Sequence, residues 1–129
     1  MARPKSPELT ERELEVMHVF WEADDAPLAA GEVRQRLALG GRRLAYTTVA
    51  TLVRILHEKE FLEQINDQRP FAYRAVRSFE DVSRRMVGNL VDRVFLGSRE
   101  QLLLRLIEAK KLSAKERTLL EGILREKKS

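Results

Sequence analysis

Apolar side chains recur along most of this chain at helical spacing, and one stretch near the middle alternates as strands do. Leu14, Met17, Phe20 and Trp21 fall on one side of a first helix predicted over residues 10–23, so that side faces a core. Thr10-Glu11-Arg12-Glu13 has the form of a capping box, and Leu9 with Leu14 makes a hydrophobic staple around it. Asp24-Asp25-Ala26-Pro27 ends the helix. A shorter helix over 30–39 presents Val33 and Leu37 one turn apart and stops at Gly40-Gly41. Its N-cap is poor, because Ala29 carries no acceptor atom.

The third helix, over 47–59, has two faces that differ in kind. Val49, Leu52, Val53 and Leu56 form an apolar stripe. On the opposite side lie Thr47, Ala50, Thr51 and Arg54, with Glu58 beyond. A plain solvated face usually carries Glu and Lys, which form helices better than threonine does. Small hydroxyl and methyl groups instead let a helix sit deep in a groove, where threonine packs on a thymine methyl or bonds a base edge and arginine forks onto guanine. The pattern therefore reads as a recognition helix.

Phe61-Leu62-Glu63-Gln64-Ile65 and Phe71-Ala72-Tyr73-Arg74-Ala75-Val76 read as two strands joined by turn residues 66–70. Phe71 and Tyr73 share one strand face and are expected in the core. Three helices followed by a β-hairpin make a winged helix-turn-helix, with Arg69 at the wing tip. The remaining third is helical. Ser78 opens a helix with Phe79, Val82, Met86, Leu90 and Val94 on one stripe, widened by Val87, Val91 and Phe95. Ser98-Arg99-Glu100-Gln101 and Ser113-Ala114-Lys115-Glu116 are two more capping boxes. Leu102, Leu103, Leu104, Leu106 and Ile107 surround the helix between them, with Leu119, Leu120, Ile123 and Leu124 as the matching face. Three short helices cannot cover that apolar surface alone, so a second copy is expected to. The chain is thus expected to be mainly α, with a winged-helix DNA-binding domain at 1–76 and a helical dimerisation domain at 77–129.

Charge sharpens this picture through its distribution. The net charge of the 129 residues is only +4. Residues 1–33 nevertheless hold eight acidic and three basic side chains, whereas residues 34–57 hold Arg34, Arg36, Arg42, Arg43 and Arg54 and no acid. Such a block suits a polyanion. Arg42 and Arg43 before the third helix, and Arg69 at the wing, are placed for phosphates.

Composition removes other classes. With no cysteine there is no disulfide framework, thiolate metal site or thiol nucleophile, and His18 and His57 lack metal-ligand spacing, so neither a metal nor another cofactor is expected. No P-loop, GxSxG, HExxH or dinucleotide fingerprint is present, and Glu11, Glu13 and Glu15 read as solvated carboxylates of the first helix, so an enzyme is not expected. The longest uncharged stretch, Leu44 to Val53, is too short and polar to span a bilayer, and the N-terminus lacks an apolar h-region; a cytoplasmic protein is expected.

The run from Tyr46-Thr47-Thr48-Val49-Ala50-Thr51-Leu52 to Phe61-Leu62, the segment Glu13 to Trp21, and Arg69-Pro70-Phe71-Ala72-Tyr73-Arg74 together resemble the penicillinase-repressor (BlaI/MecI/CopY-type) family. The resemblance extends over nearly the whole chain, including Phe95-Leu96-Gly97-Ser98. It implies a dimeric bacterial repressor on an inverted repeat of double-stranded DNA, with Thr47, Thr48, Ala50, Thr51 and Arg54 facing the operator; Tyr46 beside them is expected at the same interface. It also implies relief by a sensor protease that cuts a C-terminal helix.

Three departures qualify the match. Relatives carry glycine where this chain has Glu60, so the third helix is expected to end differently, since a left-handed glutamate costs about 1–2 kcal/mol. Absence of cysteine excludes thiolate copper sensing. The Asn-Phe bond cut in the β-lactam branch corresponds to Arg105-Leu106. An adaptor that uses the same fold to bind protein instead of DNA is the alternative reading.

Overall fold

The computed structural model describes residues 8–109 and 112–128, with side chains described for residues 8–108 and 112–122. Its elements run α1 (Glu11–Glu22), β1 (Leu28–Ala29), α2 (Ala30–Leu39), α3 (Tyr46–Glu58), β2 (Leu62–Gln64), β3 (Ala72–Ala75), α4 (Phe79–Val94), α5 (Arg99–Ala109) and α6 (Ala114–Lys128). The chain is mainly helical, a winged helix followed by C-terminal helices. Two compact units divide between Met86 and Val87, within α4.

In the first unit α1 begins as its sequence predicts. Thr10 Oγ1 accepts from the Glu13 N–H at 3.2 Å, and the Glu13 carboxylate accepts from the Thr10 N–H at 2.9 Å. The buried face of α1 is set by Val16, Met17, Val19 and Phe20, whereas Leu14 and Trp21 are half-buried, so the core side lies slightly round from the predicted stripe. The half-exposed Trp21 donates its indole N–H to the Arg77 carbonyl at 2.9 Å. Glu13 is itself buried, which corrects its reading as a solvated carboxylate. It pairs with Lys59, the C-cap of α3.

A short strand absent from the sequence reading, β1, follows α1. It pairs antiparallel with β3, Leu28 opposite Tyr73, and makes the hairpin the far part of a three-stranded sheet ordered β1-β3-β2. Two residues leave no alternation to read, yet Leu28 is fully in the core. At α2 only the return arm of a capping box forms: Glu32 accepts from the Ala29 N–H at 2.9 Å. Gly41, at φ 91°, closes the far end where a side chain would be strained, and the Arg42 N–H then reaches the Leu37 carbonyl at 2.8 Å. Val33 and Leu37 of α2, Val49, Val53 and Leu56 of α3, and Phe61, Leu62 and Tyr73 of the sheet complete one core, with Val82 of α4. Phe71 packs against it half-buried.

Helix α3 does end on a left-handed glutamate, contrary to expectation. Glu60 has φ 68°, the Phe61 N–H bonds the Leu56 carbonyl at 2.9 Å, and the Glu60 N–H bonds the His57 carbonyl at 3.0 Å. This is the glycine-type helix stop made by a residue with a Cβ. Arg77 helps to hold it, donating from Nε to the Glu60 carbonyl at 3.2 Å while its guanidinium lies 4.6 Å over the Phe61 ring.

In the second unit Gly97, at φ 87°, donates its N–H to the Val91 carbonyl at 2.9 Å. The Ser113 box forms completely, with Glu116 held below the usual carboxylate range by its bonds to Ser113, whereas Ser98 supplies its own arm to the Gln101 N–H at 3.2 Å. Among the described residues no helix is long and apolar enough to cross a membrane.

The C-terminal end of α3 generates three predictions. Lys59→Met strands a buried carboxylate and should destabilise the fold by roughly 3 kcal/mol, while adding Glu13→Leu should recover much of that loss. Urea denaturation of the single and double variants measures both. The pair is also acid-sensitive. Burial pushes the Glu13 carboxyl up, but the Thr10 N–H and Lys59 outweigh it and hold it below 4.5. A depressed carboxylate stabilises at pH values above its unfolded value and loses that contribution as pH falls through the folded one. The stability gap between wild type and Glu13→Gln should therefore be full at neutral pH and close progressively below pH 4.5. Glu60→Gly, by contrast, should raise stability by about 0.5–1 kcal/mol, the relief of left-handed strain less the added freedom of the unfolded chain. An unchanged or lower melting temperature would contradict that account of the helix end.

Candidate nucleic-acid interface

The α2 turn and α3 bring the arginine block and the threonine face into one region. Packing of Val49, Val53 and Leu56 into the core turns the other side of α3 outward. Thr47, Thr48, Thr51 and Arg54 are exposed there and Ala50 is half-buried. Tyr46, the first residue of α3, is 50% exposed. Ala45 precedes it without a side-chain cap, so the first α3 N–H groups find no capping acceptor. An uncapped helix start surrounded by hydroxyl groups favours a phosphate oxygen. Thr51 Oγ1 donates to the Thr47 carbonyl at 2.8 Å, which fixes its rotamer and turns its methyl away from that bond.

The arginines are not equivalent. Arg34, Arg36 and Arg43 are exposed and have no ion pair among the described residues. Arg42 meets Glu15 of α1 at 3.2 Å, a carboxylate that Arg12 also approaches at 3.5 Å. Arg54 meets Glu58 at 3.3 Å along α3. Arg69 is exposed on the turn between β2 and β3, its guanidinium 5.5 Å over the Phe71 ring. Asn66 shapes that turn, its side chain accepting from the Ala72 N–H at 2.9 Å and donating to the Pro70 carbonyl at 3.2 Å. Behind the wing, Tyr73 meets the His57 ring edge-on at 5.6 Å. Burial, and then the Tyr46 phenol, push the Tyr73 hydroxyl up, so it stays neutral.

The residues predicted for DNA contact thus comprise the outward face of α3, the turn before it and the wing. Sequence reasoning did not find the carboxylates that hold two of the arginines. The four-residue step from Arg54 to Glu58 was a readable signal, whereas the Glu15 to Arg42 pairing depends on tertiary structure.

The residues predicted to join two copies lie in the second unit. Val87, Leu90, Val94, Leu103, Leu106, Ile107 and Leu119 are exposed, Leu102 and Leu120 are half-buried, and Val91 is buried. The side chains of Ile123 and Leu124 lie outside the described ones. The Arg105-Leu106 bond is inside α5, with Arg105 paired to Glu108.

A sequence model of the penicillinase repressor family matches residues 9–126. The methicillin resistance regulatory protein MecI of Mammaliicoccus sciuri is 27% identical over 123 residues, which cover 95% of this chain and 98% of that protein. The MecI protein of Staphylococcus aureus (strain N315) is 26% identical over the same length and with the same coverage. Among solved structures, a MarR family protein from Bacillus stearothermophilus aligns with 92% of this chain and 71% of its own at 17% identity and a TM-score of 0.46. With the match running from the residue before the Thr10 cap into α6, the chain belongs to the penicillinase repressor family of transcriptional regulators.

Proposed function

We propose that this protein is a repressor that binds double-stranded DNA as a homodimer, each copy placing α3 in the major groove of one half of an inverted repeat. The observation that carries this reading is the outward face of α3: Thr47, Thr48, Thr51 and Arg54 exposed on a helix whose other side is locked into the core. Thr47, Thr51 and Arg54 suit base edges, with Thr48, Tyr46 and Ala50 around them, and the threonine methyls and Ala50 suit thymine methyl groups. Arg42, Arg43 and Arg69 suit the phosphates on either side.

Assembly rests on a different observation. The exposed apolar groups of α4, α5 and α6 include Val94 at 62% and Leu119 at 65% exposure, an amount of apolar surface that soluble helices normally bury. A second copy presents the same surface, and two-fold assembly is the commonest way to cover it. The MecI relatives, named as regulatory proteins of methicillin resistance, support the regulatory reading. In this reading a sensor protease cutting at Arg105-Leu106 separates α6 from the rest of the chain and ends repression by weakening the dimer. The setting for such control is the cytoplasm.

Selection of bound fragments from a random duplex library is the direct test, and the expected product is an inverted repeat. Bound fragments without one, or no binding at all, would favour a protein-binding adaptor. On the selected duplex, Arg54→Ala and Thr47→Ala should each lose about 1–3 kcal/mol of binding, with helix content and melting unchanged. Arg43→Ala and Arg69→Ala should instead weaken selected and shuffled duplexes alike and lower the salt slope by about one unit. Fluorescence anisotropy across a salt series separates the two classes, and equal losses on both duplexes for Arg54→Ala would remove it from base reading.

A chain ending at Gly97 lacks α5 and α6 while keeping α3. It should sediment mainly as a monomer at micromolar concentration and bind the inverted repeat roughly 10²–10⁴-fold more weakly, because the second half-site is no longer met at high effective concentration. A persistent dimer, or a monomer with undiminished affinity, would contradict this arrangement.

A further inference from the structure

The carboxylate that ends the recognition face has no role in the contacts proposed above. Thr47, Thr51, Arg54 and Glu58 form one line along α3, at steps of four, three and four residues. The first three face the bases in that reading. Glu58 is the last helical residue, and its Oε2 lies 3.3 Å from Arg54 Nη1. Both side chains are accessible, at 62% for Arg54 and 39% for Glu58. Recognition helices enter the groove by their N-terminal part, so the C-terminal residue passes close to a phosphate strand. An acidic side chain there is repelled by every duplex, whatever its sequence.

We propose that Glu58 is a specificity-determining residue, which holds the Arg54 guanidinium against binding to arbitrary DNA and yields it only to a base edge that bonds both of its nitrogens. The inference rests on the DNA-binding reading. Its physical basis is a difference between two exchanges. A phosphate also binds a guanidinium strongly, but it stands on the strand beside Glu58, so Arg54 can take it only by drawing that carboxylate toward like charge. Guanine offers two parallel hydrogen bonds in a fixed plane on the groove floor, away from that strand, so this exchange carries no such repulsion. The pairing therefore removes one cation from the sequence-independent attraction while keeping it for the correct site. Arg34, Arg36 and Arg43, which carry no such partner among the described residues, remain to supply that attraction.

Glu15 provides the contrast. Its carboxylate holds Arg42 at 3.2 Å, but Arg42 lies on the turn before α3 and is placed for a phosphate. Freeing Arg42 should strengthen binding to all duplexes equally, with no effect on discrimination.

The test compares wild type, Glu58→Gln, Glu58→Ala and Glu15→Gln by anisotropy on two probes, the duplex selected by the wild-type protein and a shuffled duplex of the same composition. Both Glu58 variants should bind the shuffled duplex about two- to tenfold more tightly than wild type, the range expected for removing one solvent-screened charge interaction. Binding to the selected duplex should rise less, so the ratio between probes falls by a similar factor. The salt slope on the shuffled duplex should steepen by about one unit. Glu15→Gln should strengthen binding to both probes and keep the ratio. Unchanged or weaker shuffled-duplex binding by Glu58→Gln and Glu58→Ala, in protein of normal helix content, would overturn the role of Glu58 while leaving the DNA-binding reading intact. Failure of wild type to bind any duplex would overturn both.

Discussion

What α3 can present depends on where it is held, and its C-terminal end is tied to α1 by the half-buried ammonium group of Lys59. Lys59 Nζ donates to Glu13 Oε1 at 2.9 Å, to Glu13 Oε2 at 3.1 Å and to the Glu8 carbonyl at 3.1 Å, which uses all three of its protons. The carboxylate that receives two of them also caps α1 through Thr10. One cluster therefore fixes the start of the first helix and the end of the third. Met17, Val53 and Leu56 belong to the same apolar core, yet such surfaces tolerate small shifts of one helix over another. A charged pair at hydrogen-bond distance does not tolerate them, since each ångström of separation uncovers a desolvated charge.

That cluster also shows where reading a sequence stops. The Thr10 capping box was legible because its partners are three residues apart, and so were the bounds of α2 and α3, where periodic apolar positions meet glycine and turn residues. Lys59 is 46 residues from Glu13 and carries no local mark of its partner. Local spacing instead made Glu13 look solvated, because Glu11 and Glu15 flank it at every other position. The strand β1 was hidden for another reason. Its two residues gain their structure from pairing with Ala72 and Tyr73, far along the chain, and from no periodicity of their own. At Glu60 the local preference was read correctly as unfavourable. The surrounding bonds to Leu56, His57 and Arg77 outweigh it.

Charge counting met the same limit within the candidate site. Five arginines without an acid between residues 34 and 57 suggest a uniformly cationic surface. In space two of the five are met by carboxylates from outside that block, Glu15 on the preceding helix and Glu58 immediately beyond its end. Sequence order separates these charges and the fold brings them together. The number of cations available to a polyanion is therefore smaller than the block count, and it is set by the packing that places α1 beside the α2 turn.

The two units obey one rule with different results. In the winged helix each apolar stripe meets another: Val16 and Met17 from α1, Val33 and Leu37 from α2, and Val49 and Val53 from α3 are all nearly or fully buried. In α4 and α5 stripes of the same kind leave Val87, Leu90, Val94 and Leu106 exposed within one chain. Helical periodicity reports that a face must be covered and is silent on whether the cover comes from the same chain. If the chain reads DNA as the proposed pair, that difference has a thermodynamic consequence. A face covered only by association makes the pairing equilibrium depend on protein concentration, and DNA with two half-sites draws on the same equilibrium. The recognition surface and the apolar tail are then linked by mass action, with no need for a change of shape in either.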